Sequence, residues 1–323
     1  MARIIQADEA VDEAVTLLEG GNLVAIPTET VYGLAADATN GEAVARIFEA
    51  KDRPRFNPLI AHVADMAMAR QIAVFDDLAE KLTDKFWPGA LTLVLPAAQK
   101  SQISGLVTAG LKTIAVRMPV GVARLIAARL GKPLAAPSAN PSGKLSATTA
   151  ADVEAGLGDR IPLIVDGGPA RIGVESTIMK VEEDSLTLLR PGGVSVEDIE
   201  AATGRPVRRL SSGSAVEAPG MLASHYAPDA GLRLNAVEVH DGEALLAFGA
   251  IRAAGADRAK AVMNLSPDGN LLEAAANLFS HLHRLDRLGA RIIVVEPIPD
   301  RGLGAAINDR LSRAAAPRGV PET

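Results

Sequence analysis

Short apolar runs, each stopped by proline, glycine or a polar cluster, constrain the fold of this chain more than any other feature. They fall at residues 23–26, 59–63, 91–95, 113–117, 134–136 and 163–165, and they read as buried strands. Apolar residues at helical spacing intervene at 8–20, 42–50 and 122–130. Strands and helices alternating through short connections predict an α/β layered domain. Residues 178–181 and 185–189 predict a hairpin across a Glu-Glu-Asp turn. Periodicity lapses between Arg205 and Gly231, where Pro206, Ser211-Ser212-Gly213-Ser214, Pro219-Gly220 and Pro228 mark an extended linker. Beyond it, 245–248, 261–263 and 292–295 predict strands, and 271–288 and 304–315 predict helices. That alternation indicates a smaller α/β domain with parallel strands. The expected organisation is a first domain over 1–205, a linker over 206–230 and a second domain over 231–323.

Composition removes several function classes. There is no cysteine, which excludes disulfides, thiolate nucleophiles and thiolate metal sites. The histidines, His62, His225, His240, His281 and His283, include no i, i+4 helical pair, so no protein-built metal site is expected. No apolar run approaches the ~20 residues that span a bilayer. The opening MARIIQADEAVDEA lacks the basic flank and apolar stretch of a signal peptide, so a cytoplasmic protein with no membrane partner is expected. The net charge of −6 argues against a strongly basic nucleic-acid coat. Within it, however, residues 85–151 contain no Asp or Glu but do contain Lys85, Lys100, Lys112, Arg117, Arg124, Arg129, Lys132 and Lys144. These side chains either solvate helix faces or together form a surface for anions.

Standard nucleotide and hydrolase signatures are missing. Residues 105–113 resemble a phosphate loop, but an extra residue precedes the lysine and a strand follows, so we reject that motif. No G-x-S-x-G elbow is present either. Polar clusters at strand ends remain, the place where open α/β sheets bind ligands. Pro27–Leu34 follows a buried strand, either as a ligand loop or as a turn whose tyrosine packs on the core. Lys51-Asp52-Arg53-Pro54-Arg55 concentrates cations on a proline-stiffened loop, as phosphate binding or a solvated loop would require. Arg117 ends an apolar strand and needs an anionic partner, a ligand carboxylate or an internal acid. Residues 136–144, 173–177 and 189–193 offer small residues, hydroxyls and amides, or are plain turns.

Taken in order, these segments resemble the YrdC-like domain of L-threonylcarbamoyladenylate synthases. The resemblance rests on PTETVYGL at 27–34, KDRPRFNPL at 51–59, FWPGALTLVLP at 86–96, TIAVRMP at 113–119, APSANPSGK at 136–144, GVEST at 173–177 and LLRPGG at 188–193. APGMLASHYAP at 218–228 and RGLGAAINDRLSRAA at 301–315 are similar to the long, two-domain form. Ala35 and Ala90 depart from the family's usual glycine and proline without removing a charge or a polar side chain. The implied fold is a YrdC-like open twisted mixed sheet with helices, followed by a smaller Rossmann-like α/β domain.

The resemblance also implies a nucleotidyltransferase reaction. L-Threonine and bicarbonate give a carbamate, which attacks the α-phosphate of ATP and releases pyrophosphate. The threonylcarbamoyl-AMP formed would pass to a tRNA threonylcarbamoyl transferase complex. Mg2+, held mainly by the ATP phosphates, is the implied cofactor. Residue by residue, Lys51 and Arg53 become the catalytic cations. Arg53, Asn57, Thr113, Ser138, Ser146, Arg190 and Tyr226 become the ATP site, and Thr30, His62, Arg117, Ala136 (through its backbone) and Ser176 the threonine site. Open alternatives are a core role for His62, a packing anchor at Tyr226, a helix cap at Ser146, and a pairing of Lys51 with Asp52 or Glu49. The competing function is an RNA-binding module using the same basic groove, with weak RNA binding as its mildest form. Carbamoyl transfer from carbamoyl phosphate is disfavoured, because the zinc-finger modules of such enzymes need cysteine.

Overall fold

The structure is a computed structural model and describes residues 1–183, 185–210, 217–221 and 225–317. The expected Ser211-Ser212-Gly213-Ser214 run, residues 222–224 of the linker motif and Asp184 of the predicted turn lie outside the described residues.

Two sheets carry the fold. The first is mixed and eleven-stranded. At its centre Gly33–Asp37, Leu134–Ala135, Ile60–His62, Thr113–Arg117, Leu91–Pro96, Thr177–Glu182 and Ser185–Arg190 lie side by side. Ile60–His62 and Thr113–Arg117 are parallel, with His62 opposite Arg117. Leu91–Pro96 runs antiparallel to Thr113–Arg117 and parallel to Thr177–Glu182. That alternation brings the end of one strand and the beginning of the next to a single edge of the sheet. His62, Arg117 and Arg190 end strands on this edge and Ser176 precedes one, while Ala136 follows the short antiparallel strand Leu134–Ala135 and lies beside Ile60. The predicted hairpin forms between Thr177–Glu182 and Ser185–Arg190.

Most central strands are buried along their whole length, because helices cover both faces. One face packs Ala7–Glu19 and Val122–Leu130 through Ala10, Ala14, Leu18, Ile126 and Leu130. The opposite face packs Gly41–Lys51 and Ala150–Leu157 through Val44, Ile47, Val153 and Leu157. Asn40 starts the helix Gly41–Lys51 by accepting from the amides of Glu42 and Ala43. Asp52 stops it in a left-handed conformation, φ 53°, which aims the chain away from the helix towards Arg53.

The second sheet contains Gly231–Arg233, Ala244–Ala247, Val262–Asn264 and Ile292–Val295, all parallel, covered by the helices Leu271–Arg287 and Leu303–Ala315. Val207–Arg209 pairs with Ser185–Arg190, so the first sheet extends into residues expected to belong to the linker. The two domains share apolar contacts. Val31, Leu145 and Val174 of the first belong to the same cluster as Leu278 and Phe279 of the second. Gly173 marks the tightest approach: a Cβ there would lie 2.3 Å from the Ala275 carbonyl oxygen, and its φ of +75° is one that side-chain-bearing residues avoid. Among the described residues no helix is long and apolar enough to cross a membrane.

The acid-free stretch does not form a free cationic face. Arg129 pairs with Asp12, Lys132 with Asp37, Lys144 with Asp229 and Arg117 with Glu29, and Arg124 donates to the Ala64 carbonyl. Each carboxylate comes from outside residues 85–151, so tertiary contacts engage five of the eight cations of this stretch, all but Lys85, Lys100 and Lys112.

Gly173→Ala should lower unfolding free energy by about 2–3 kcal/mol, through overlap with backbone atoms that have no rotamer to yield. A urea midpoint lowered at unchanged slope is the expected readout.

Candidate active site

The sheet edge opens into a small polar cavity between the first domain and the linker. Its walls hold Thr30, Arg53, His62, Arg117, Ala136, Ser138, Ser176, Arg190 and Tyr226, brought together from segments up to almost two hundred residues apart. A larger groove of about 870 Å³ lies between the domains, but it contains none of these side chains.

One side of the cavity is organised around Arg117. Arg117 donates through Nε to the Gly89 carbonyl at 3.0 Å and through Nη1 to the Thr30 hydroxyl at 2.8 Å. Its Nη2 lies 2.7 Å from the Glu29 carboxylate, in an ion pair too oblique for a hydrogen bond. Its internal partner is therefore an acid, one of the two possibilities open from sequence. Thr28 fixes the turn, its hydroxyl bonding the Val31 carbonyl and meeting that of Thr30. The His62 ring is buried beside Arg117 with Nδ1 unpartnered. Burial first, and then Arg117, bring its pKa down to about 3, so the imidazole is neutral at physiological pH. Ser176 meets the Thr92 hydroxyl at 2.7 Å.

The other side is cationic. The Arg190 guanidinium donates twice to the Ser176 carbonyl, once to its hydroxyl and once to the Pro219 carbonyl. Arg53 donates to the Asn57 and Pro58 carbonyls, which curls the 53–58 loop around its own guanidinium. Burial lowers its pKa to about 10, still charged at neutral pH. The linker closes this side with Pro219-Gly220 and His225-Tyr226. Gly220 adopts φ +83°, and a Cβ there would meet Arg190 Cδ at 2.8 Å and the Tyr226 hydroxyl at 2.9 Å, so only glycine lets the linker lie this close. Tyr226 is itself left-handed, φ 64°, and packs edge-on to His225, with Phe279 beyond. It therefore lines the cavity and anchors the linker at once. His225 is neutral as well, its pKa brought to about 3 chiefly by burial.

Four expected site residues lie off the cavity wall. The Lys51 ammonium is buried and donates to the carbonyls of Ser138 and Asn140, tying its loop to the 136–144 loop. Its expected pairing with Asp52 or Glu49 does not occur, since Asp52 pairs with Arg160. Asn57 is fully buried, and neither end of its side-chain amide has a partner among the described residues. Ser146 donates to Glu175, not to a helix; the cap of Ala150–Leu157 is Thr149. Thr113 departs furthest from expectation. It begins the strand that Arg117 ends, and at ~3.3 Å per residue it stands roughly 13 Å from the cavity edge.

Two residues of the site escaped sequence reasoning. Glu175 lines the cavity with one oxygen bonded to Ser146 and the other 2.7 Å from Arg310 Nε. Burial works to raise its pKa, but Arg310 above all, then Arg190 and Ser146, bring it to about 2. Glu175 stood inside the GVEST motif beside Ser176 and could have been found there. Arg310, on the last helix, stood inside the RGLGAAINDRLSRAA segment, but nothing local marked it as reaching the first domain.

Comparison with known proteins matches this arrangement. A family model described as telomere recombination covers residues 16–192, and one described as threonylcarbamoyl-AMP synthase, C-terminal domain, covers 194–316. The chain is 41% identical to the Bacillus subtilis threonylcarbamoyl-AMP synthase, over 96% of this chain and 94% of that protein. It is 40% identical to the Pyrococcus abyssi threonylcarbamoyl-AMP synthase, over 98% and 99%. The chain belongs to the threonylcarbamoyl-AMP synthase family. A crystal structure of P. abyssi Sua5 complexed with L-threonine superposes with a TM-score of 0.85 at 38% identity, covering 97% of this chain and 98% of that one. The expected two-domain organisation and mixed α/β fold are those of a synthase of this family.

The neutral histidines make acid sensitivity a test of the site. A histidine whose folded pKa lies below its unfolded value of about 6.5 contributes stability that is complete above pH 6.5. That stability is lost as pH falls towards the folded value, at up to about 1.4 kcal/mol per pH unit for each of His62 and His225. Glu175 adds its own loss below about pH 4.5. Melting temperature should fall between pH 7 and 5, and His62→Gln should flatten that fall; a melting temperature independent of pH over this range contradicts neutral burial.

Proposed function

We propose that this chain forms threonylcarbamoyl-AMP and pyrophosphate from L-threonine, bicarbonate and ATP, in the cytoplasm, for modification of an adenosine in tRNA. One observation carries the reading. Lys51, Arg53, Arg117, Arg190 and Arg310 are each at most 8% exposed, with Arg53, Arg117 and Arg190 on one cavity wall and Lys51 and Arg310 outside it, and the buried carboxylates beside them are Glu29 and Glu175. Buried charge without a counter-charge is costly. A polyphosphate beside an amino acid supplies the missing anions, and it leaves the neutral His62 and the hydroxyls of Thr30 and Ser176 to orient the amino acid.

The chemistry asks little of the protein beyond this. A carbamate is already an anionic nucleophile, so its oxygen attacks the α-phosphorus as the bond to the pyrophosphate oxygen breaks. Positioning two anions and stabilising charge on the leaving group are the demands, and cationic clamps meet them. Arg53 and Arg190, each held by several carbonyls, are preorganised for that role. The unpartnered Asn57 amide, in the Arg53 loop, offers both a donor and an acceptor to the nucleotide. Lys51 acts through the backbone of the Ser138 loop. Magnesium would arrive on the phosphates, its usual mode of binding, and would neutralise charge on the leaving pyrophosphate. Glu175, with both oxygens engaged, is not assigned to hold it. The product, an acyl phosphate anhydride, must pass to a transferase acting on tRNA. With Arg117, Arg124, Arg129, Lys132 and Lys144 of residues 85–151 paired internally, no observation favours the competing RNA-binding function.

Incubation with threonine, bicarbonate, magnesium and ATP should release pyrophosphate only when threonine is present. Arg53→Ala should raise KM for ATP about tenfold or more, the cost of one or two charge-assisted bonds. Arg117→Met should raise KM for threonine similarly, with Glu29→Gln in the same chain to avoid a stranded carboxylate. Normal turnover in both variants would defeat the assignment.

A further inference from the structure

Arg310 belongs to the second domain, on the helix Leu303–Ala315, yet its side chain is 1% exposed and lies among the loops of the first. Its Nε donates to Glu175 at 2.7 Å, and its Nη2 donates to the Pro191 carbonyl at 3.0 Å, next to Arg190. Its guanidinium carbon lies 5.1 Å from the centre of the Tyr226 ring. On its own helix, Asp309 accepts from Nη1 at 2.6 Å. One side chain thus touches the 173–177 loop, the 188–193 loop and the linker, and the last two carry the nucleotide-site residues Arg190 and Tyr226.

We propose that Arg310 is a positioning residue for the nucleotide, supplied by the C-terminal domain, which neutralises Glu175 on the cavity wall and holds Tyr226 against it. The inference rests on the proposed function, in that the cavity is taken to receive ATP. Its logic is electrostatic. Among the described residues, Glu175 is the carboxylate on this wall, and an incoming polyphosphate would be repelled by it. Ser146 and Arg310 occupy its two oxygens, one each. A buried ion pair spanning two domains is a poor device for stability alone, because desolvation offsets most of its attraction. Its geometry serves orientation better: Nε holds the carboxylate, Nη2 holds the Pro191 carbonyl, and the same guanidinium lies over the Tyr226 ring. Further support is that His283, on the helix Leu271–Arg287, meets the Ser146 carbonyl at 3.2 Å, so the second domain braces both partners of Glu175.

The test uses the full-length chain and measures KM for ATP and for threonine by pyrophosphate release, ATP binding by calorimetry, and melting temperature. Arg310→Met should weaken ATP at least tenfold in both KM and binding while KM for threonine stays within twofold. Arg310→Lys should recover part of the loss, and adding Glu175→Gln to Arg310→Met should recover most of it by removing the exposed charge. Should Arg310→Met lower the melting temperature, the Glu175→Gln double variant, free of the stranded carboxylate, gives the comparison. Proportional loss of both substrates, or no recovery with Glu175→Gln, makes Arg310 a purely structural residue and overturns the proposal. A wild-type chain that binds ATP without releasing pyrophosphate would refute the proposed reaction, and the calorimetric comparison would still decide Arg310.

Discussion

The excess of buried positive charge at one sheet edge is the constraint on which the rest of the structure depends. Arginine and lysine can be taken from water only where carbonyls, carboxylates or a ligand receive them. Each cation here has such a partner. Lys51 has the carbonyls of the 138–140 loop, Arg53 its own loop, Arg117 Glu29 and Thr30, Arg190 Ser176 and the linker, and Arg310 Glu175. These partners are drawn from loops far apart in sequence, so forming the pairs fixes the loops relative to one another. The binding site and its scaffold are therefore one network of contacts.

That network also explains the two-domain form. The first domain has its own two-faced core, but loop 173–177 is completed from outside, by Arg310 and by the close packing of Gly173 on the helix Leu271–Arg287. The linker passes between the domains and contributes Gly220 and Tyr226 to the cavity. A nucleotide held there would touch the first domain and the linker, and would stabilise by mass action the arrangement that Arg310 braces from the second domain.

Much of this was legible in the sequence. Residues 113–117, 122–130 and 292–295 were read with the bounds they adopt, because each is a compact apolar or amphipathic run closed by proline or glycine. Strands poor in β-branched residues were missed. Gly33–Asp37 is mostly small residues and becomes a strand only because Val24–Ile26 and Leu134–Ala135 flank it. Arg3–Gln6 is an edge strand set by its pairing with Leu163–Asp166. Most expected site residues line the cavity, since they carry polar chemistry at strand ends. Thr113 stands away from it, because a motif records neighbours in sequence, not the ~13 Å that a strand places between its ends.

Local pattern alone determined the element types, the parallel character of the second domain, the absence of thiol chemistry and the clusters where cations gather. It could not determine how those charges are compensated. The acid-free stretch read as solvated helix faces or a surface for anions, and the fold pairs four of its cations with Asp12, Asp37, Glu29 and Asp229. Glu175 and Arg310, 135 residues apart, meet only because the second domain docks on the first. Hydrophobic periodicity is a short-range property of the chain, whereas electrostatic pairing in a buried site depends on which distant segments the packed core brings within about 4 Å.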